Sequence, residues 1–62
     1  MKIVKITVRT KEPDHNGMWR VFVKVRSGKE YHYGVLKYPT EKKAESVKNG
    51  DWVDKNLFSK RT

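Results

Sequence analysis

The stretch Met18-Trp19-Arg20-Val21-Phe22-Val23-Lys24-Val25-Arg26-Ser27-Gly28-Lys29-Glu30-Tyr31-His32-Tyr33-Gly34-Val35-Leu36 decides the fold. From Met18 to Arg26 it alternates, with Trp19, Val21, Val23 and Val25 on one side and Arg20, Phe22, Lys24 and Arg26 on the other. A period of two is the signature of a strand with one buried face. Arg26-Ser27-Gly28-Lys29 is a turn, and the residues after it form a third strand whose facing depends on how that turn is built. A two-residue turn sets Tyr31, Tyr33 and Val35 among the basic residues. A type I turn with Gly28 in a left-handed bulge position moves the register by one and sets them beside the valines. The bulged turn is preferred, because it buries the larger apolar set and places Lys24 opposite Glu30, a favourable cross-strand pair.

Upstream, Lys2 to Lys11 alternates in the same way: Val4, Ile6 and Val8 fall on one face, and Ile3, Lys5, Thr7 and Arg9 on the other. The segment Glu12-Pro13-Asp14-His15-Asn16-Gly17 breaks the pattern with turn-forming residues. Pairing Val8 with Trp19 brings Ile6 to Val21 and Val4 to Val23. The expected buried face is then Val4, Ile6, Val8, Trp19, Val21, Val23, Val25, Tyr31, Tyr33 and Val35.

After Tyr38-Pro39 the period changes. Thr40 suits an N-cap, Glu41 a first helical turn, and Ala44 and Val47 share a face, so a short helix is expected over about 41–49, stopped by Asn49-Gly50. A helix this short cannot stand alone in water and must pack on the apolar side of the sheet. The segment 51–58 carries Trp52, Val53, Leu57 and Phe58 and reads as either a second short helix or a final strand covering the core, with Trp19 and Trp52 both expected inside. Ser59-Lys60-Arg61-Thr62 reads as a frayed basic end. The expectation is thus one α+β domain over 1–62: a three-stranded antiparallel sheet (about 2–11, 18–27 and 30–38) backed by a helix and a C-terminal cover.

Composition narrows the function. The 62 residues hold 15 Lys and Arg against 7 Asp and Glu, a formal net charge of +8, and only 35% are hydrophobic. The usual apolar share is roughly 45–50%, so the core must be thin. Without cysteine there is no disulfide framework, thiolate metal site or Cys nucleophile. No apolar run approaches the roughly 18 residues of a membrane span, and Met1-Lys2-Ile3-Val4-Lys5 is too interrupted by charge for a signal peptide, leaving the cytoplasm as the default compartment. His15 and His32 lack the partners of a tetrahedral metal set. The serines lack a His–acid pairing, the acids are scattered singly, and the glycines form no phosphate loop. Neither enzyme chemistry nor a cofactor is expected.

In the preferred register the face away from the helix shows Lys5, Thr7, Arg9, Arg20, Phe22, Lys24 and Arg26, with His32 and Leu36 beside them. Neighbouring strands stand only about 5 Å apart, so this gathers five cations around an aromatic residue. Such a face suits a phosphate backbone, where each neutralised phosphate releases condensed counterions. Double-stranded DNA is the expected ligand, with Lys11, Lys29 and Lys37 reaching flanking phosphates. Phe22 either stacks on a base or is covered by the stems of Lys5 and Arg20. Single-stranded RNA is the weaker expectation, because it requires aromatics among the cations. Docking on an acidic protein is the alternative of another class, and an exposed sheet edge at strand one or three would permit a weak homodimer.

Four segments carry a resemblance: Gly17-Met18-Trp19-Arg20-Val21-Phe22-Val23, Gly28-Lys29, Gly34-Val35-Leu36-Lys37-Tyr38-Pro39-Thr40 and Lys42-Lys43-Ala44-Glu45. Together they resemble the N-terminal arm-type DNA-binding domain of phage and transposon tyrosine integrases, over about half the chain. The resemblance implies a three-stranded sheet backed by a helix, its open face entering the DNA major groove. It also implies an accessory or regulatory role in a phage or mobile element. No recombinase catalytic segment stands within these residues, so the resemblance extends to DNA binding alone.

Overall fold

The computed structural model describes residues 1–60. The chain is an α+β fold of four antiparallel strands and one short helix. β1 (Lys2–Arg9), β2 (Trp19–Ser27), β3 (Glu30–Tyr38) and β4 (Phe58–Lys60) lie side by side in chain order, and α1 (Glu41–Ser46) packs against β2 and β3. The sheet therefore has one strand more than the three expected. Ser59 and Lys60 belong to that strand, while Arg61 and Thr62 of the expected basic end lie outside the described residues.

The turn between β2 and β3 corrects the preferred register. Ser27 pairs with Glu30, leaving the two-residue loop Gly28-Lys29, and Gly28 has φ +62, while among the described residues only glycines have positive φ. A positive φ at the first loop position alone is the type II′ arrangement, whose twist matches that of the flanking strands. Lys24 consequently stands opposite Tyr33 rather than Glu30, and Arg26 opposite Tyr31. Tyr31 and Tyr33 are about half exposed (52% and 53%) on the side away from the helix. His32 and Leu36 change places with them: Leu36 is fully buried, and half-buried His32 lies opposite Val25 with its Nε2 3.3 Å from Glu30 Oε2.

β1 departs from simple alternation twice. Its pairs Ile3–Val25, Lys5–Lys24, Ile6–Val23, Val8–Phe22 and Arg9–Val21 leave Val4 and Thr7 as bulge residues. Each bulge sets two residues against one and reverses the facing of the residues beyond it. The inward positions are therefore Ile3, Ile6 and Arg9, spaced by three. Ile3 is buried, Ile6 packs at the edge of the core, and Val4 and Val8, expected inside, are exposed. The core consists of Ile3, Val21, Val23, Val25 and Leu36 from the sheet, closed by Ala44, Val47 and Val53, with Trp19, Tyr38 and Phe58 packed around it.

Gly34 explains how so few apolar residues close that core. It lies on the inner side of β3, and a Cβ there would run into the Phe58 ring and the Ser59 carbonyl. The missing side chain is the space in which Phe58, paired with Leu36, lies over the sheet.

Thr40 caps α1, its Oγ1 accepting from the Lys43 N–H at 3.2 Å. The helix stops at Ser46, short of 49, because Val47 turns to extended backbone and drops into the core. A turn closed by the Asp51 N–H donating to Lys48 O then leads the chain along the free edge of β1. There Gly50 N–H donates to Ile3 O, Ile3 N–H to Asp51 O and Val53 N–H to Met1 O at 2.7–2.8 Å, and Ile6 N–H donates to the Asn49 side chain at 3.0 Å. Edge strands left bare invite pairing with other chains. Here the β1 edge is partly occupied by the backbone of 50–53, and the outer side of β3 is partly covered by the short β4, which forms the other edge of the sheet. The segment 51–58 is neither a helix nor one continuous strand. Trp52 bridges to Lys2, a turn at Asp54–Leu57 follows, and β4 begins at Phe58.

Candidate nucleic-acid interface

The face of the sheet opposite α1 is ordered in rows by the strand register. Across the hairpin end run Trp52, Lys2, Arg26 and Tyr31, each the cross-strand partner of the next. The second row is Lys5, Lys24 and Tyr33; the third is Val8, Phe22, Val35 and Ser59; Arg20 and Lys37 form the fourth. Strands lie about 4.8 Å apart, and rows succeed one another at about 6.6–6.8 Å, twice the rise per residue. Six cations and four aromatic rings thus occupy one continuous surface, and no acidic residue stands at any of these register positions.

Three of the pairs set like charges directly opposite one another: Lys2–Arg26, Lys5–Lys24 and Arg20–Lys37. Like-charged partners destabilise a sheet.

Aromatic rings take up part of the charge. The Lys24 ammonium lies 4.8 Å from the centre of the Tyr31 ring and 5.7 Å from that of Tyr33, and the Arg20 guanidinium lies 5.8 Å from the Phe22 ring. Contacts of this kind contribute roughly 0.5–1 kcal/mol at exposed sites and hold the cations beside the rings. Arg20 Nε is desolvated without a hydrogen-bond partner among the described residues, and Arg26 Nε donates to Gly28 O at 2.8 Å.

The residues expected from the sequence separate into two groups. Lys5, Arg20, Phe22, Lys24 and Arg26 do come together on the open face, and Lys37, expected at the margin, stands within it opposite Arg20. Thr7 is a bulge residue whose hydroxyl donates to Phe22 O at 3.0 Å, tying the edge strand in place. Arg9 lies on the other side: its guanidinium donates to Glu45 O at 3.0 Å and to Val47 O, closing the end of α1. The two bulges are the reason, since they turn Arg9 to the helix side. Lys11 is exposed in the loop after β1 and Lys29 at the hairpin tip, both away from the rows.

Lys2, Tyr31, Tyr33 and Trp52 belong to the surface, and strand alternation alone does not put them there. Tyr31 and Tyr33 join it directly through the two-residue Gly28-Lys29 turn. Trp52, expected in the core, is 80% exposed, and the signal for this was the local alternation that buries its neighbour Val53 instead.

The helix side differs. A cleft of about 450 Å³ between α1 and the ends of β1 and β2 is lined by Arg9, Lys11, Trp19, Glu41 and Glu45, a mixture of charges. Glu41 is held above the usual carboxylate range by its hydrogen bond to Glu45 and a small loss of hydration. Among the described residues no three His, Cys, Asp or Glu side chains gather to hold a metal ion, and no helix is long and apolar enough to cross a membrane.

No family model, curated protein or solved structure matches the chain. Its function has to be argued from the surface itself.

Proposed function

We propose that the protein binds single-stranded nucleic acid along the open face of its sheet. The observation that carries this reading is the position of Lys24, between Tyr31 and Tyr33, in a face where three cationic pairs oppose one another without an acid. Cations alone would serve any polyanion. Exposed rings interleaved with them also suit unstacked bases, whose faces every nucleotide offers once a strand is single. Lys2, Lys5, Arg20, Lys24, Arg26 and Lys37 would hold phosphates, while Tyr31, Tyr33, Phe22 and Trp52 would meet bases. The duplex-reading mode implied by the integrase resemblance needs a face of cations entering a groove. Half-exposed tyrosines at the β3 end of its first two rows, beside Lys24, favour the single strand.

Titration of the protein with an oligothymidylate, followed by tyrosine and tryptophan emission at several salt concentrations, tests the proposal. With each of the three opposed cationic pairs sharing one phosphate, the slope of log K against log salt is about −2 for a single strand, and it steepens to about −4 if all six cations engage separate phosphates. Replacing Tyr33 by alanine is expected to weaken binding by roughly fivefold or more, the lower end of base–aromatic stacking. A duplex bound as tightly as the single strand would favour groove reading. Competition by polyglutamate at the same strength as the oligonucleotide would refute base stacking and favour an acidic protein partner.

A further inference from the structure

Trp52 is the most exposed large apolar side chain of the described residues, and it forms one wall of a hollow of about 290 Å³. The other walls are Met1, Lys2, Arg26, Ser27 and Gly28. The volume lies just below the range of ligand pockets, about 300 to 1,000 Å³, and is suited to a single monomer unit rather than a chain. Its position is built from three parts of the sequence. The bridge between Lys2 and Trp52 fixes the indole beside β1, the Lys2–Arg26 pair sets two cations next to it, and the type II′ turn brings Gly28 close.

Arg26 is tied to the hairpin loop beside it. Its Nε donates to Gly28 O at 2.8 Å, which fixes the guanidinium plane while leaving the two terminal nitrogens for another acceptor. Opposite it, Lys2 adds a point charge with no acidic partner in the row. A flat indole, a fixed guanidinium and an ammonium around one small hollow match the two ends of a nucleotide, base and phosphate.

We infer that this hollow is a one-nucleotide pocket, in which the Trp52 indole stacks on the base while Lys2 and Arg26 hold its phosphate, so that one end of a bound strand is anchored here. The inference rests on the single-strand reading of the open face and specifies where on that face the strand is gripped most firmly. Beyond the pocket, the strand continues over Tyr31 and Tyr33, whose rings meet successive bases without selecting among them. The pocket therefore sets the register of the complex, and the rest of the face supplies length-dependent affinity.

The test uses the unmodified protein and its Trp52→Ala variant, whose removed side chain contributes little to the core. The indole N–H resonance of Trp52, assigned by its loss in the variant, is followed by NMR during titration with thymidine 5′-monophosphate and, separately, thymidine. Saturable movement of that resonance is expected with the monophosphate, and a smaller response at equal concentration with the nucleoside. Trp52→Ala is expected to lower the affinity for an oligothymidylate by roughly five- to 150-fold, the range of one base–aromatic stack. An unmoved resonance with the monophosphate, or an oligothymidylate affinity unchanged in Trp52→Ala, overturns the pocket. In either case Tyr33→Ala separates the two claims: loss of oligothymidylate binding in that variant keeps the open face as the binding surface without the pocket, and undiminished binding removes both.

Discussion

Replacing Lys5 by glutamate is expected to stabilise the protein while loosening its hold on nucleic acid. Lys5 and Lys24 are direct cross-strand partners. Their Cβ atoms therefore stand about 4.5–5.5 Å apart, and a charge interaction at that spacing is worth roughly 0.2–1 kcal/mol. Glutamate removes one such repulsion and installs one such attraction, a combined gain of about 0.4–2 kcal/mol. For a domain of this size each kcal/mol shifts the melting temperature by about 4–8 °C, which circular dichroism resolves easily. Lys5→Gln removes the repulsion without adding the attraction and is expected to gain about half as much. The gain is electrostatic, so it must shrink in ~1 M salt, where the Debye length is only about 3 Å. On the binding side, losing one phosphate contact reduces the magnitude of the salt slope by about 0.7. A variant that melts at or below the parent temperature in low salt, or whose gain is undiminished in high salt, would refute the claim that the open face stores charge repulsion.

The geometry fixes three further outcomes. Gly34→Ala forces a methyl group into the Phe58 ring, so β4 is expected to leave the sheet. Amide protection at Phe58–Lys60 then falls in hydrogen exchange, and stability drops by about 1–3 kcal/mol. Arg9→Ala removes the guanidinium from the Glu45 and Val47 carbonyls. It is expected to cost about 1–2 kcal/mol in urea unfolding, while oligothymidylate affinity changes by less than about threefold, because the residue lies on the helix side. Asp14 accepts from the Met18 and Asn16 N–H groups, and the Met18 bond above all holds its carboxyl below the ordinary 3.8. A depressed folded-state pKa contributes stability that is present above the unfolded value and lost as pH falls below it. Acid unfolding of the parent below pH 3.8 is therefore expected to be steeper than that of Asp14→Asn, and identical acid limbs would show that the loop carboxylate carries no such role.

Local patterning was enough for the broad plan. The alternation of β2 fixes Val21, Val23 and Val25 as buried and turns Arg20, Lys24 and Arg26 to the opposite face, since a strand of period two with valines on one side has only one way to face a core. The same holds for Thr40 as the helix cap, a local bond between a hydroxyl and an N–H three residues on. A net charge of +8 with 35% hydrophobic residues already demands a thin core and a strongly cationic exterior. These features depend on neighbours in the chain, and so the chain displays them.

The facing of β3 and β1 was settled elsewhere. Turn type at Ser27-Gly28-Lys29-Glu30 is compatible with two registers when seen locally, and counting apolar residues favours the one that buries Tyr31 and Tyr33. The folded chain takes the other because a ring from residue 58 fills the space above Gly34, a partnership across more than twenty residues that no local period announces. Bulges in β1 are likewise read only against the partner strand, and they decide that Arg9 serves the helix while Lys2 and Lys5 serve the open face. Charge and apolar content were written in residue order. Which rings stand beside which cations depended on long-range packing, because a single-residue shift of register moves every side chain of a strand to the opposite face.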